Sequence, residues 1–341
     1  MIKTKGSKNQ NNVKRFICLV MAMLFMVSKT VYADDVTVEA MDKTVYFNYS
    51  VDQVCAEYKE NAYRASNKYE DFYIGLIGSI ESISSNGKQI TLKSSDSGMS
   101  FPCDCSKKQV KVQLESLTSG DNVIICGIVK KHEETEFKVK ADRIITIGDI
   151  KSYENGYTTS DGTVFLCDDV EQYRIGNNTC FVQKQWKEQL SDEFWNRYIE
   201  DVFDQKSGMV VQFGDDENSE LLGIYAFSWS EIYEKASQDK SKGFFKSEKA
   251  FVEQYLLEKL VNKIMKYELG PLNTIKSTKT DNVTFDYYYG TKESSGNNIH
   301  AEVFFIRNDD ELVAITYQFE NEPQHLAEVV LMLGTYSQTE N

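Results

Sequence analysis

From Val51 to Asp71 the apolar positions Val51, Val54, Cys55, Tyr58, Ala62, Ala65 and Tyr69 recur at steps of three and four, the period of one helix face. Ser50 stands just ahead of them as an N-cap. The period then shortens to two. The segment FYIGLIGSIESISSNGKQITLKSS holds two β-rich runs around Asn86-Gly87, a dipeptide that favours a tight hairpin. FPCDCSKKQVKVQLESL is a third run, DNVIICGIVKK a fourth and EFKVKADRIITIG a fifth, separated by the turn TSGD and the polar HEETE. Gly75, Gly78 and Gly127 fall inside these runs, where a glycine marks a bulge or a tight bend. One helix followed by five short kinked strands predicts a small β-barrel.

The second half changes character after the Gly-, Asn- and Ser-rich junction DIKSYENGYTTSDG. TVFLCDDVEQYRI and TCFVQKQW alternate as strands, DEFWNRYIEDVFDQ is a short amphipathic segment, and MVVQFGDDENSELLGIYAFSW reads as a hairpin turning at Asp215–Ser219. SEKAFVEQYLLEKLVNKIMKY places Phe251, Tyr255, Leu256, Leu260, Ile264 and Tyr267 near one helix face and stops at Gly270-Pro271. TIKSTKT, VTFDYYYGTKE and the paired run IHAEVFFIRNDDELVAITYQFE are strands, and PQHLAEVVLMLGTYS closes the chain as a helix. The expected class is α+β overall: a barrel of five strands with a preceding helix, then a sandwich-like α+β domain with an antiparallel sheet and two main helices.

Residues 1–33 read as something other than fold. MIKTKGSKNQNNVKRF carries five positive charges and no acid, and ICLVMAMLFMV is an apolar run of eleven residues. Val31 and Ala33 occupy small-residue cleavage positions, so the segment predicts a secretory signal peptide cut between Ala33 and Asp34. The other reading is an uncleaved anchor, for which eleven residues are too few to span a bilayer. Cys18 opens the apolar run instead of following it, so it is not a lipoprotein cysteine. The expected division is 1–33 signal peptide, 34–50 lead segment, 51–148 barrel domain and 149–341 α+β domain.

Charge sharpens this picture. Six of the 38 Lys and Arg and none of the 52 Asp and Glu lie in residues 1–33, so the cleaved chain has a net charge of −20. Residues 51–148 hold 14 acids and 13 bases, whereas 149–341 hold 34 and 18. Such a surface repels nucleic acid and anionic membrane. The expected location is secreted or envelope-associated with no stable membrane span after cleavage. The Lys-, Asn- and Tyr-rich composition resembles that of exported proteins of Gram-positive bacteria.

ENAYRASNKYEDFYIGLIGSIESI and LTSGDNVIICGIV carry a family resemblance. With Asn61, Ala62, Ala65, Tyr69, Gly78, Gly120, Asp121, Val123 and Gly127 in place, the stretch Val51–Ile147 resembles the tRNA_anti-like family, secreted proteins with an OB-fold. That resemblance implies the fold and does not by itself imply nucleic-acid binding. The element order of residues 161–337, with Trp186 after a strand, resembles the PsbP-like fold of photosystem extrinsic proteins and again implies fold only.

Candidate chemistry is sparse. His132, His300 and His325 stand apart, without metal-ligand spacing, and read as isolated solvent-facing side chains. The acidic turn at Asp215–Asn218 lacks the alternating ligands of a calcium loop. No phosphate-binding or nucleophile motif occurs, so no catalytic residue, metal or cofactor is expected. Cys167 and Cys180, on adjacent β-rich runs, suit a cross-strand disulfide or stand as two buried thiols. Cys103 and Cys105 share one strand face, and bridging each other would strain the link. Either could pair with Cys126, or both could pack in the core. A zinc site would need Cys55 as a fourth ligand, and Cys55 lies on the inner helix face.

The expected function is a non-catalytic binding or interaction protein with an unknown protein or small ligand at the cell surface. The alternative is a binder of single-stranded nucleic acid or oligosaccharide through the barrel face, near Tyr73, Lys93 and Lys111.

Overall fold

A computed structural model describes residues 44–131, 137–189, 205–213, 220–228, 230, 234, 273–279, 284–294, 297–307 and 311–338. The signal segment with Ala33 and Asp34, His132, the Asp215–Ser219 turn, all but the last residue of the amphipathic segment 192–205 and the helix read over 247–267 lie outside the described residues. Everything described falls within one compact unit, Asp42–Asn341. The fold is mixed α+β and rich in sheet.

The lead segment contributes strand β1 (Val45–Ser50). Helix α1 (Val51–Glu60) follows directly, capped by Ser50 Oγ, which accepts from Gln53 N–H at 3.1 Å. The single helix expected over Val51–Asp71 is two helices. At Asn61 the backbone is extended, and Asn61 Oδ1 accepts from Arg64 N–H at 3.0 Å to start α2 (Ala62–Tyr69). An Asn side chain that competes for backbone donors favours a cap over a helix interior. Glu57 then clamps the two helices: Lys68 Nζ lies 2.8 Å from one carboxylate oxygen and the Tyr69 hydroxyl donates to the other at 3.0 Å.

Strands β2 (Tyr73–Ile83) and β3 (Gln89–Lys93) form the expected hairpin, with Gly87 at φ +62° in its turn. The third run divides into strand β4 (Ser100–Asp104) and helix α3 (Lys108–Leu114). Val110 and Leu114, four residues apart, both face the core, and this i,i+4 contact outweighs the strand-like alternation of VKVQL. Strands β5 (Asn122–Lys131) and β6 (Phe137–Ile147) complete the set. Pairings run β2–β3–β4–β6–β5 and back to β2. The ring is uneven, because β4 and β6 share only the pairs Cys103↔Val139 and Asp104↔Lys140. Helices α1 and α2 close over its core, with Val54, Cys55, Ala65 and Tyr69 at 1% exposure or less.

Outside the ring, β1 runs parallel to β2, and β7 (Gly156–Thr159) and β8 (Val164–Leu166) extend the sheet beyond it. Arg143 fastens this extension by donating from Nη1 to Ser160 C=O at 2.8 Å. The expected barrel glycines have distinct roles. Gly127 sits at a register shift between β5 and β6, a bulge. A β-carbon at Gly78 would collide with Val51 at the start of α1.

Beyond the ring, β9 (Val170–Ile175), β10 (Asn178–Gln183) and the short β17 (Ser337–Gln338) form a three-stranded sheet. The remaining strands are β11 (Gln205–Phe213), β12 (Glu220–Ser228), β13 (Asn273–Lys279), β14 (Thr284–Ser294), β15 (Asn297–Arg307) and β16 (Glu311–Glu320). They form an antiparallel sheet in the order β11-β12-β16-β15-β14-β13. Buried Glu311 ties the two sheets together, accepting from Asn177 N–H at 3.0 Å and Asn178 Nδ2 at 3.2 Å. The closing helix is α4 (Leu326–Gly334).

Candidate ligand cleft

A cleft of about 790 Å³ opens over β3 and β4, at the place where β4 and β6 diverge. Its apolar floor consists of Tyr58 from α1, Phe101 and Cys103 from β4, and Phe137 from β6. Tyr58 stacks on Phe137 with ring centres 4.4 Å apart and tilts against Phe101 at 6.3 Å. Phe101 and Phe137 are buried, so these rings are largely spent on one another. The walls carry hydroxyls and amides, among them Ser84, Asn86, Gln89 and Thr91, on or beside the β2–β3 turn.

Three charged residues line the cleft: Lys88, Lys138 and Asp104. Burial works against ionised Asp104, but hydrogen bonds from Ser106 and the charges of Lys138 and Lys140 outweigh it and hold its carboxyl below the ordinary range. Lys138 lies 3.9 Å from Asp104. The Tyr58 hydroxyl is buried with no hydrogen-bond partner among the described residues, and burial followed by the nearby charge of Glu70 keeps it protonated.

The residues expected on a binding face are elsewhere. Tyr73 packs edge-on against Tyr46 on the opposite side of the sheet. Lys93 and Lys111 do not line the cleft. Lys88 and Lys138 take their place.

The six cysteines from Cys55 to Cys180 are free thiols, so none of the expected disulfides is formed. Cys180 lies opposite Tyr173 in the β9–β10 ladder, whereas Cys167 sits in the turn before β9. Cys103 and Cys105 belong to the core inside the ring, while Cys126 packs with Tyr46, Ile77, Ile124 and Ile147 on the other face of the sheet. The sheet itself separates those thiols. Burial pushes Cys55 and Cys105 up to about 11 and Cys126 up to about 12. Burial and then the neighbouring Cys105 raise Cys103 well above its usual value. Thiols held protonated in this way are poor nucleophiles and poor metal ligands. Among the described residues no three His, Cys, Asp or Glu side chains come together as a metal site would require.

The two described histidines, His300 and His325, are not isolated. His300 stacks on Phe319 at 5.1 Å, and burial lowers its pKa. His325 stands at the N-cap of α4, with Nδ1 2.7 Å from Glu220 Oε2 and its ring stacked 4.0 Å from Phe213. Tyr317 also donates to that Glu220 oxygen, at 2.8 Å. No sequence signal marked Glu220, because its partners lie 97 and 105 residues away.

Residues 10–141 match the model of the tRNA_anti-like family, which bears out the resemblance read in the first half of the chain. No curated protein matches the chain. Similar solved structures include an OBody bound to hen egg-white lysozyme, at 15% identity, TM-score 0.22 and coverage of 24% of this chain and 84% of that one. A protein from Bacteroides thetaiotaomicron aligns at 7% identity and TM-score 0.22, covering 51% of this chain and 43% of its own length. A protein of unknown function from Pseudomonas aeruginosa aligns at 12% identity and TM-score 0.21, covering 44% and 82%. Likenesses this loose carry no functional reading.

Proposed function

We propose that the ring β2–β3–β4–β6–β5 is a small barrel of the OB type, and that the protein is an exported, non-catalytic binding or interaction protein whose ligand surface is the cleft over β3 and β4. The observation that carries this reading is the cleft itself: a concave, mixed apolar and polar surface of about 790 Å³, within the size range of ligand sites. Export rests on the basic and apolar character of residues 1–33. No helix among the described residues is long and apolar enough to cross a membrane.

Two features favour a protein or small ligand over single-stranded nucleic acid. The floor rings pack on one another, whereas strand binding uses aromatic faces offered to bases. The charge of residues 51–148 is nearly balanced, whereas nucleic-acid surfaces are basic. The test is a thermal-shift screen of peptides, oligosaccharides and oligonucleotides against the wild type and Thr91→Trp, which places a bulky side chain on a residue lining the cleft. A stabilising compound that loses its effect in Thr91→Trp supports the reading. Compounds that stabilise both proteins equally overturn it.

A further inference from the structure

The chain contains two Asn-Gly dipeptides, Asn86-Gly87 and Asn155-Gly156, and both asparagines are exposed. The dipeptide is chemically labile. The glycine backbone nitrogen attacks the asparagine Cγ and a new C–N bond forms. The Cγ–Nδ2 bond breaks, and Nδ2 leaves as ammonia with the proton of the glycine amide. Water then opens the succinimide ring to aspartate or isoaspartate. A β-carbon on the following residue crowds this closure, and glycine has none.

The fold holds the two side chains differently. In the β2–β3 turn, Asn86 Oδ1 accepts from the Ser84 hydroxyl at 2.9 Å and from Lys88 N–H at 3.0 Å. Gly87 N–H, the group that would attack, donates to Ser84 C=O at 2.9 Å. Ser84 Oγ also accepts from Lys88 N–H at 3.1 Å and from Gln89 N–H at 2.9 Å, which ties the turn to the start of β3. An asparagine amide bonded to the local backbone in this way is fixed in place, and ring closure at Asn86 requires these bonds to open. Asn155 stands in the bend before β7 at φ +56°. Its side chain makes no hydrogen bond among the described residues. Its backbone C=O accepts from Cys167 N–H at 3.0 Å, at the end of the β7–β8 ladder.

We infer that Asn155 is a deamidation site in the folded protein, and that the Ser84 clamp keeps Asn86 unreacted. A site held by hydrogen bonds reacts only as fast as it opens locally, whereas the Asn155 amide is already free to turn toward Gly156. The two positions differ in consequence as well. Asn86 and Lys88 both line the cleft, so the clamp preserves a neutral amide where deamidation would set a carboxylate beside the lysine. At Asn155 the reaction adds a negative charge to the junction between the ring and the second half of the chain. Isoaspartate there reroutes the backbone through Cγ. The C=O that holds Cys167 N–H becomes a free carboxylate, and the last rung of β7–β8 changes with it.

The experiment incubates the full chain in mildly alkaline buffer and follows both sites by peptide mapping and mass spectrometry, which separates asparagine, aspartate and isoaspartate. Two companion samples are the wild type held unfolded in guanidinium and the Ser84→Ala variant, its fold checked by circular dichroism. In the native protein Asn155 is expected to react about tenfold faster than Asn86, the gap that one or two net hydrogen bonds produce. In guanidinium the two rates should converge. Ser84→Ala should speed Asn86 severalfold and leave Asn155 unchanged. Asn86 reacting as fast as Asn155 in the native protein overturns the inference. A gap that survives in guanidinium overturns it too, since its cause would then lie in the neighbours Ser85 and Glu154 and not in the fold. An Asn155 that stays intact when folded but reacts when unfolded overturns its assignment as a site. An unchanged Asn86 rate in folded Ser84→Ala overturns the clamp. Native and unfolded wild type decide the matter by themselves if the variant does not fold.

Discussion

Asn48 on β1 lies across the backbone of Gly75 on β2, with its Oδ1 accepting from the Thr158 hydroxyl on β7 at 2.9 Å. Asn48 and Thr158 are fully buried, so one side chain joins three strands at the margin of the ring. A β-carbon at Gly75 would occupy the space of the Asn48 side chain. Gly75→Ala is expected to cost about 1–3 kcal/mol, the usual range for overpacking. In an Asn48→Ala background the same change should cost less, and urea unfolding of the four proteins in a double-mutant cycle reads the coupling directly. Additive costs would show that Gly75 serves some other purpose.

Glu220 holds the start of α4, so its removal should loosen the C-terminal helix ahead of the rest. It accepts from Tyr317, His325 Nδ1 and His325 N–H at 2.8, 2.7 and 3.0 Å. Glu220→Ala leaves these donors unmatched and should cost about 2 kcal/mol, the scale of buried hydrogen bonds to a charged group. Hydrogen exchange should quicken at Leu326–Gly334 before it quickens in β5. Uniform quickening across the molecule would contradict a local anchor.

Two carboxylates give the protein an acid limb. Burial raises Glu57, but hydrogen bonds from Lys68, Gln53 and Tyr69 outweigh it and leave its pKa lowered, as Ser106 and the lysines do for Asp104. A folded pKa below the unfolded one contributes stability that is present above the unfolded value of about 4 and is lost as pH falls through the folded value. Stability measured between about pH 5 and pH 2 should therefore fall less steeply in Glu57→Gln and Asp104→Asn than in the wild type. Unchanged slopes would mean that neither carboxylate is coupled to folding.

The thiols should be present and silent. Five of the six from Cys55 to Cys180 are buried and Cys167 is half-buried. Ellman's reagent should react first with Cys167 in the native protein, and with all six once guanidinium unfolds it. Fewer reactive thiols after unfolding without reductant would demonstrate a disulfide.

Much of this architecture is written in local pattern. The alternation of apolar residues in β2, β3, β5 and β6 and the Asn86-Gly87 turn depend on neighbours within a few residues, which a sequence displays openly. Asn61 was readable as a helix residue because its apolar neighbours keep the period. Only the capping bond to Arg64 reveals the break. Helix α3 hides in an alternating run because Val110 and Leu114 fit both periods until the core takes one of them. The cleft was the least legible feature. Tyr58, Phe101 and Phe137 come from three separated elements and meet only when the ring closes. Tyr73, Lys93 and Lys111 have the right residue types but lie away from the cleft.

The central claim is that the protein binds its ligand in the cleft over β3 and β4. The most direct measurement is amide chemical-shift mapping of the isotope-labelled protein with a ligand selected in the screen. Shifts concentrated at Ser84–Thr91, Ser100–Ser106 and Phe137–Lys138 are the predicted result. Shifts centred on Phe213, Glu220 and His325, with the β3–β4 region unmoved, would contradict it.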